Sequence, residues 1–374
     1  MINRKNASAM EAFFLFVMLI AQRTFDLMKD VIIVGSGITG CTLAWTWLLK
    51  GKTVVMISDK APASSSVAAG VYNPTVLKRF TPIWKAQEQL DVMLPFYKAV
   101  ESHLGRSFLQ HVPVLRRLYD AGEAATWTRK AQRDDLRDFM NPEVFTETID
   151  GIDAPHGYGV VQPTGACDTE AFMTATIEHL EGLNSFNQQS FEHQQLQLHD
   201  DFVTYKHLQA RHIIFAEGFA MRHNTYYNHL PLEGNKGELL IVRIPGLELN
   251  YIIKSSVFLT HYKEDLFWVG ATYNRDDLTA APTSDALAFL TSRLEKFLKV
   301  PYEIVEHKVG IRPTTQDRRP FLGSVDSLKR HFICNGMGSR AVLLAPWAAI
   351  QLYNHIYNAA VLDSDVDCNR VTTS

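Results

Sequence analysis

The chain has 374 residues, of which 46% are hydrophobic, 21% charged and 11% aromatic; this composition excludes disorder, collagen-like repeats and a bundle of membrane helices. Its length suits two domains or one large interrupted domain. With 37 Lys and Arg against 40 Asp and Glu the formal net charge is -3, so no positive field points to nucleic acid as a partner.

At the N-terminus, Arg4 and Lys5 precede an apolar run over residues 12–21, similar to the charged start and apolar middle of a secretory signal. The run is too short to span a bilayer, which takes about 20 apolar residues, and no small-x-small cleavage pattern follows it. Translation starting at Met28 is the simpler reading, so residues 1–27 are set aside as a leader or a mis-assigned start. The cysteines Cys41, Cys167, Cys334 and Cys368 form neither a CxxC pair nor a dense framework. Free thiols in a reducing compartment, the cytoplasm, are therefore expected.

From Val31 the chain reads VIIVGSGITGCTLAWTWLLKGKTVVMISD, the pattern of a βαβ unit with a parallel strand buried on both faces. Gly35 permits the tight turn, Gly37 clears room for a pyrophosphate and Gly40 lets the helix lie close on the strand. The helix start at Ile38 and Thr39 offers N–H groups and a partial positive charge to that phosphate. Gly51 stands where the helix should stop. The second strand ends in Ser58 and Asp59; one of them is expected to bond the ribose hydroxyls, and the sequence leaves open which. The unit predicts a dinucleotide-binding, Rossmann-like domain.

Residues 62–74, PASSSVAAGVYNP, crowd small side chains at Ser66, Ala68, Ala69 and Gly70 before Val71, so the backbone can run close beside a flat ring system. HIIFAEG at 212–218 predicts another buried strand, ending at Gly218. Residues 309–325 read VGIRPTTQDRRPFLGSV, and residues 331–352 predict a strand, a Gly336-Met337-Gly338 turn and a helix.

In this order the segments resemble the D-amino-acid oxidase family of FAD-dependent oxidoreductases over about residues 28–358. Gly310-Ile311-Arg312-Pro313, then Asp317, Pro320 and Gly323, is similar to the GLRP…D…P…G run of the family's glycine oxidases. Gly336-Met337-Gly338-Ser339-Arg340 with Ala345-Pro346 is closer to its tRNA-modifying oxidase branch. The resemblance implies FAD, a loop around Ser66 to Val71 passing the flavin, and a turn from Gly336 through Met337, Gly338, Ser339 and Arg340 at its pyrimidine edge. It also implies that Arg312 binds a substrate carboxylate. Gly310 occupies the position where sarcosine oxidase carries the cysteine bonded to its flavin, so a non-covalent, dissociable FAD is expected.

Elementary chemistry gives these positions related work. Residues Val305, His307, Val309 and Ile311 alternate with Glu306, Lys308, Gly310 and Arg312, which puts Arg312 on the polar face of a strand, held extended by Pro313. Gly310, on the same face, is expected to leave open space. A guanidinium matches a carboxylate with two parallel hydrogen bonds; the alternative is a solvent-facing arginine on an edge strand. A helix N-terminus and free turn N–H groups at residues 338–340 would favour negative charge growing on a reduced flavin. Pro346 fits either the first turn or a kinked interior. Arg340 is a second candidate for the substrate, or else bonds Asp317 or solvent. Tyr273, with Tyr226, Tyr227 and Tyr262, could wall the pocket or simply pack.

The expected architecture is α/β: a Rossmann-like FAD-binding domain (28–80, 157–233 and 303–374) interrupted by an antiparallel-sheet α+β substrate domain (81–156 and 234–302). The expected function is oxidation of the C–N bond of an amino acid or N-substituted glycine by hydride transfer to flavin N5, with a small-molecule partner. Neither a metal nor a membrane span is expected: the 14 histidines show no ligand spacing. Two rivals are oxidation of a carboxymethylaminomethyl uridine in tRNA, and a dinucleotide-binding protein without catalysis.

Overall fold

The computed structural model describes residues 28–59, 64–326 and 329–371. The expected leader lies outside the described residues.

Two eight-stranded sheets organise the chain. In the first, Phe186–Gln188, Val54–Ser58, Met28–Val34, Leu208–Phe215 and His331–Asn335 lie side by side and parallel. Val31 to Val34 are almost completely buried, as the unbroken apolar run requires of a strand covered on both faces. The helix Ile38–Leu48 follows, and Gly51 ends the passage beyond it at φ +71°, a left-handed conformation that costs glycine little. This helix packs against the final helix, Ala341–Tyr357, with Trp45, Trp47 and Trp347 buried. Each buried aromatic contributes roughly 2–3 kcal/mol through removal from water. Pro346 is the sixth residue of the final helix, so it lies in the interior and leaves the Val342 carbonyl without its usual donor.

The second sheet is antiparallel except where Ile252–Lys254 runs parallel to Val114–Arg117. Its edge strand, Glu303–Thr315, pairs from end to end with Leu232–Arg243. Helix Ser284–Leu294 covers the face built on Leu240, Val242 and Phe267. The division of the chain by sheet therefore differs from the expected boundaries. Tyr158–Val161 and Glu303–Thr315, which fall in segments assigned to the nucleotide-binding part, are strands of the second sheet. The reason is hydrogen bonding: every buried strand N–H and C=O needs a partner, and for these two strands the partners are Val114–Arg117 and Leu232–Arg243.

No helix among the described residues is long and apolar enough to cross a membrane. The four cysteines are free and buried.

Candidate active site

The carboxyl ends of Met28–Val34, Leu208–Phe215 and His331–Asn335 are in register, Val34 opposite Phe215 and Phe215 opposite Ile333. Each strand runs into a glycine turn, at Gly35, Gly218 and Gly336, and all three glycines have positive φ. Ligands of open α/β sheets bind at this end of the strands. Asn335 ties two of the turns together: its Nδ2 donates to Gly218 O at 2.9 Å, and its Oδ1 accepts from Gly336 N at 2.8 Å.

The glycines of the first turn have separate tasks. A Cβ at Gly40 would lie 1.9 Å from Gly35 O, so this residue sets how closely helix and strand approach. At Gly37 a Cβ would meet only Ser65 Oγ, at 3.6 Å. Gly37 is also the N-cap of helix Ile38–Leu48; no side chain caps the helix there and no acidic residue stands in its first turn. A helix start with no side chain of its own as cap, and with room for a Cβ at Gly37, fits the pyrophosphate of a dinucleotide. Ser65 Oγ accepts from Ile38 N at 3.3 Å, bringing the 64–71 segment to the helix start that includes Thr39. At the other end, Ser36 Oγ donates to Ser58 Oγ at 2.8 Å and Asp59 accepts from Ser190 Oγ at 3.0 Å. Both residues stand at the strand end where the ribose is expected, and neither excludes the other.

The small-residue loop lies between the two sheets. Trp268 Nε1 donates to Val67 O at 3.0 Å, and Val67 and Ala69 pack on Leu239, Ile241 and Trp268 of the second sheet. Gly70 is required by packing: its Cβ would come 1.8 Å from Cys167 O. Space beside Gly310 is filled rather than open, because a Cβ there would meet Val67 Cγ2 at 2.6 Å and Ser64 Cα at 3.1 Å. The loop itself uses the room the glycine leaves. Ser66, Val67, Ala68, Ala69, Tyr262, Trp268 and Lys308 are among the residues that line an open cleft at this junction, while Val71 pairs with Ala166.

Arg312 is half-buried, not solvent-facing, although its strand is the sheet edge. Its guanidinium lies across Gly237 of the neighbouring strand, where a Cβ would stand 2.0 Å from Nη2. Arg312 Nη1 donates to Asn235 Oδ1 at 3.4 Å and to Thr272 O at 3.3 Å, and the Tyr273 ring stacks 4.8 Å from Cζ. Among the described residues no carboxylate pairs with it. Burial holds its pKa below the usual arginine value, which is the signature of a charge placed in the protein without a counter-ion. Tyr273 is 67% exposed, so its ring covers the guanidinium from the solvent side.

The C-terminal turn packs beside this arginine. A Cβ at Gly338 would be 3.6 Å from Thr314 Cγ2, and one at Gly336 2.9 Å from Thr315 Cγ2; Thr314 shares the Arg312 face of the strand. Met337 is buried and Ser339 exposed. The turn N–H groups are not all free, since Arg340 N donates to Met337 O at 3.3 Å. The helix start at Ala341 has neither a side-chain cap nor an acidic first turn, which leaves its positive end available. Arg340 is half-buried and does not bond Asp317, which is taken by Arg370 at 3.0 Å. Tyr227 is core, its hydroxyl bonded to His331 O at 3.0 Å, and Tyr226 packs on Phe215.

Asn235, Gly237, Thr272, Trp268 and Asn335 were not singled out by sequence. Their roles arise from cross-strand register, Asn235 opposite Arg312 and Gly237 opposite Gly310, which no local pattern contains.

A Rossmann-type sheet that presents glycine turns at one edge, joined to an antiparallel sheet carrying an unneutralised arginine, defines a two-layer dinucleotide-dependent oxidoreductase. Residues 30–353 match the family described as FAD dependent oxidoreductase, DAO. The chain belongs to this family, and FAD is its cofactor. Its fold is similar to glycine oxidase from Bacillus cereus, with 16% identity, a TM-score of 0.72, and coverage of 89% of this chain and 96% of that one. It is also similar to L-proline dehydrogenase from P. horikoshii (16%, TM-score 0.72, 92% and 97%) and to iminodiacetate oxidase from Chelativorans sp. (17%, TM-score 0.72, 91% and 98%).

Proposed function

We propose that the protein oxidises the C–N bond of a small amine bearing a carboxylate, an amino acid or N-substituted glycine, with Arg312 as the carboxylate anchor. The observation that carries this reading is the guanidinium held over Gly237 by two neutral oxygens and no acid. A bidentate carboxylate supplies the missing counter-charge. Glycine, L-proline and iminodiacetate, the compounds in the names of the similar structures, are all carboxylated amines.

The residues divide the work by position. Gly37 and the start of helix Ile38–Leu48 receive the pyrophosphate, with Ser58 or Asp59 at the ribose. The segment from Ser66 to Val71 and the turn at residues 336–339 flank the ring system, which stays dissociable because Gly310 offers no thiol. Bound FAD supplies the acceptor for the electron pair that leaves the carbon next to nitrogen. Arg312 fixes that carbon by fixing the carboxylate, so orientation supplies much of the acceleration. Trp268, Tyr262 and Ile241 supply the apolar part of the cleft lining. No side-chain base is required when the amine binds neutral, and the imine product hydrolyses after release.

The test is anaerobic mixing of purified, FAD-loaded protein with a panel of amino acids, N-alkylglycines and their decarboxylated counterparts, following loss of the visible flavin band. Carboxylated amines should bleach it and decarboxylated ones should not. Bleaching by none of the panel, by both sets alike, or only by tRNA bearing a carboxymethylaminomethyl uridine would overturn the reading.

A further inference from the structure

We infer that Arg340 is a second anion-binding residue of this pocket, so that the preferred substrates are amines carrying two carboxylates. The inference rests on the reading of Arg312 as the first anchor.

Placement comes first. Arg340 closes the Gly338–Arg340 turn, and that turn lies against Thr314, two residues along the strand face that carries Arg312. The same phenol, Tyr273, acts electrostatically on both guanidiniums. The Tyr273 ring itself lies 4.8 Å from Arg312 Cζ.

Charge balance comes second. Among the described residues Arg340 has no carboxylate partner and no side-chain hydrogen bond. Asp317 pairs with Arg370 at 3.0 Å, Glu233 with Arg275 at 2.9 Å, and Asp365 with Arg319 at 3.8 Å. Burial, and then the like charge of Arg318, pull Arg340 below the usual arginine range. A half-buried cation that is repelled by neighbours and lacks a counter-ion is costly unless a ligand completes it. One carboxylate held by both arms of Arg312 leaves Arg340 uncompensated. A second carboxylate on the other side of the amine neutralises it, and the guanidinium fork suits that group as it suits the first.

The discriminating experiment uses two unreactive thioethers in which sulfur replaces the amine nitrogen: (methylthio)acetate, with one carboxylate, and thiodiacetate, with two. Each is titrated into FAD-loaded protein and its dissociation constant is read from the change in the flavin spectrum. Wild type should bind thiodiacetate about 10-fold or more tightly than (methylthio)acetate, the size of one charge-assisted interaction. Arg340→Gln should bring that ratio to within about 2-fold of unity, and Arg340→Lys should recover part of it. Equal binding of the two acids by wild type overturns the inference whether or not any variant folds. So does an Arg340→Gln protein that weakens both acids alike, which would assign the side chain to the flavin instead. Failure of the Arg312 reading looks different: (methylthio)acetate would then bind equally to wild type and Arg312→Leu.

Discussion

At position 312 a guanidinium is withdrawn from water with only long contacts, 3.4 Å to Asn235 Oδ1 and 3.3 Å to Thr272 O, to replace its hydration. Such contacts leave donors free, which suits a residue that must exchange partners when a ligand arrives. The room for this arrangement is made at Gly237, where even a methyl group would stand 2.0 to 2.3 Å from three guanidinium atoms. What the methyl meets is the movable end of a side chain, so Gly237→Ala should fold and bind FAD but push Arg312 off its position. We expect carboxylate affinity to fall by about 10-fold or more, measured by spectral titration with (methylthio)acetate, whereas wild-type affinity in Gly237→Ala would show that the slot is unimportant. Arg312 itself was legible in the sequence through strand alternation and the GIRP motif. Gly237 was not, because its function depends on the strand 73 positions later in register, Gly237 facing Gly310.

The strand Leu232–Arg243 is built to serve two sides. Gly237 faces Arg312, while Lys236 and Glu238, one step away on either side, point to the opposite face. Lys236 is fully buried; its Nζ lies 2.5 Å from Asp277 Oδ2 and 2.6 Å from Ala281 O, with Glu238 Oε1 at 3.6 Å. Glu238 in turn accepts from Thr283 N at 2.7 Å and Thr283 Oγ1 at 2.8 Å, at the N-cap of helix Ser284–Leu294. These bonds pin the segment that carries Thr272 and Tyr273 beside Arg312. Lys236→Met removes the buried cation shared by Asp277 and Glu238, and should lower stability by about 3 kcal/mol, read as a lower urea midpoint; an unchanged midpoint would show that the cluster contributes nothing. The alternating stretches KGELLIVRI at 236–244 and DLFWVGATY at 265–273 carry the strands Leu232–Arg243 and Leu266–Gly270. A lysine buried within an alternating strand has no sequence signal of its own, since the pattern also describes a solvated face.

Over the whole molecule, three distant stretches meet at one sheet edge: the turn after Val34, the turn after Phe215 and the turn after Asn335. Glycine spacing and flanking apolar runs made each of them readable, because a buried parallel strand and its turn are local patterns. The assignment of strands to sheets was less readable. Tyr158–Val161 and Glu303–Thr315 lie next in sequence to nucleotide-binding segments, yet take their hydrogen bonds from the second sheet. Long-range pairing decides that, and it carries the strand of Arg312 to the C-terminal glycine turn of the other sheet, Gly338 beside Thr314. The account stands on this meeting of an unneutralised arginine with the FAD edge. Its most direct test is the anaerobic rate at which the best carboxylated amine bleaches FAD-loaded wild type and Arg312→Leu. Loss of a bidentate charge pair should lower the rate constant divided by the dissociation constant by about 2–4 kcal/mol with FAD still bound, and an unchanged ratio would contradict the account.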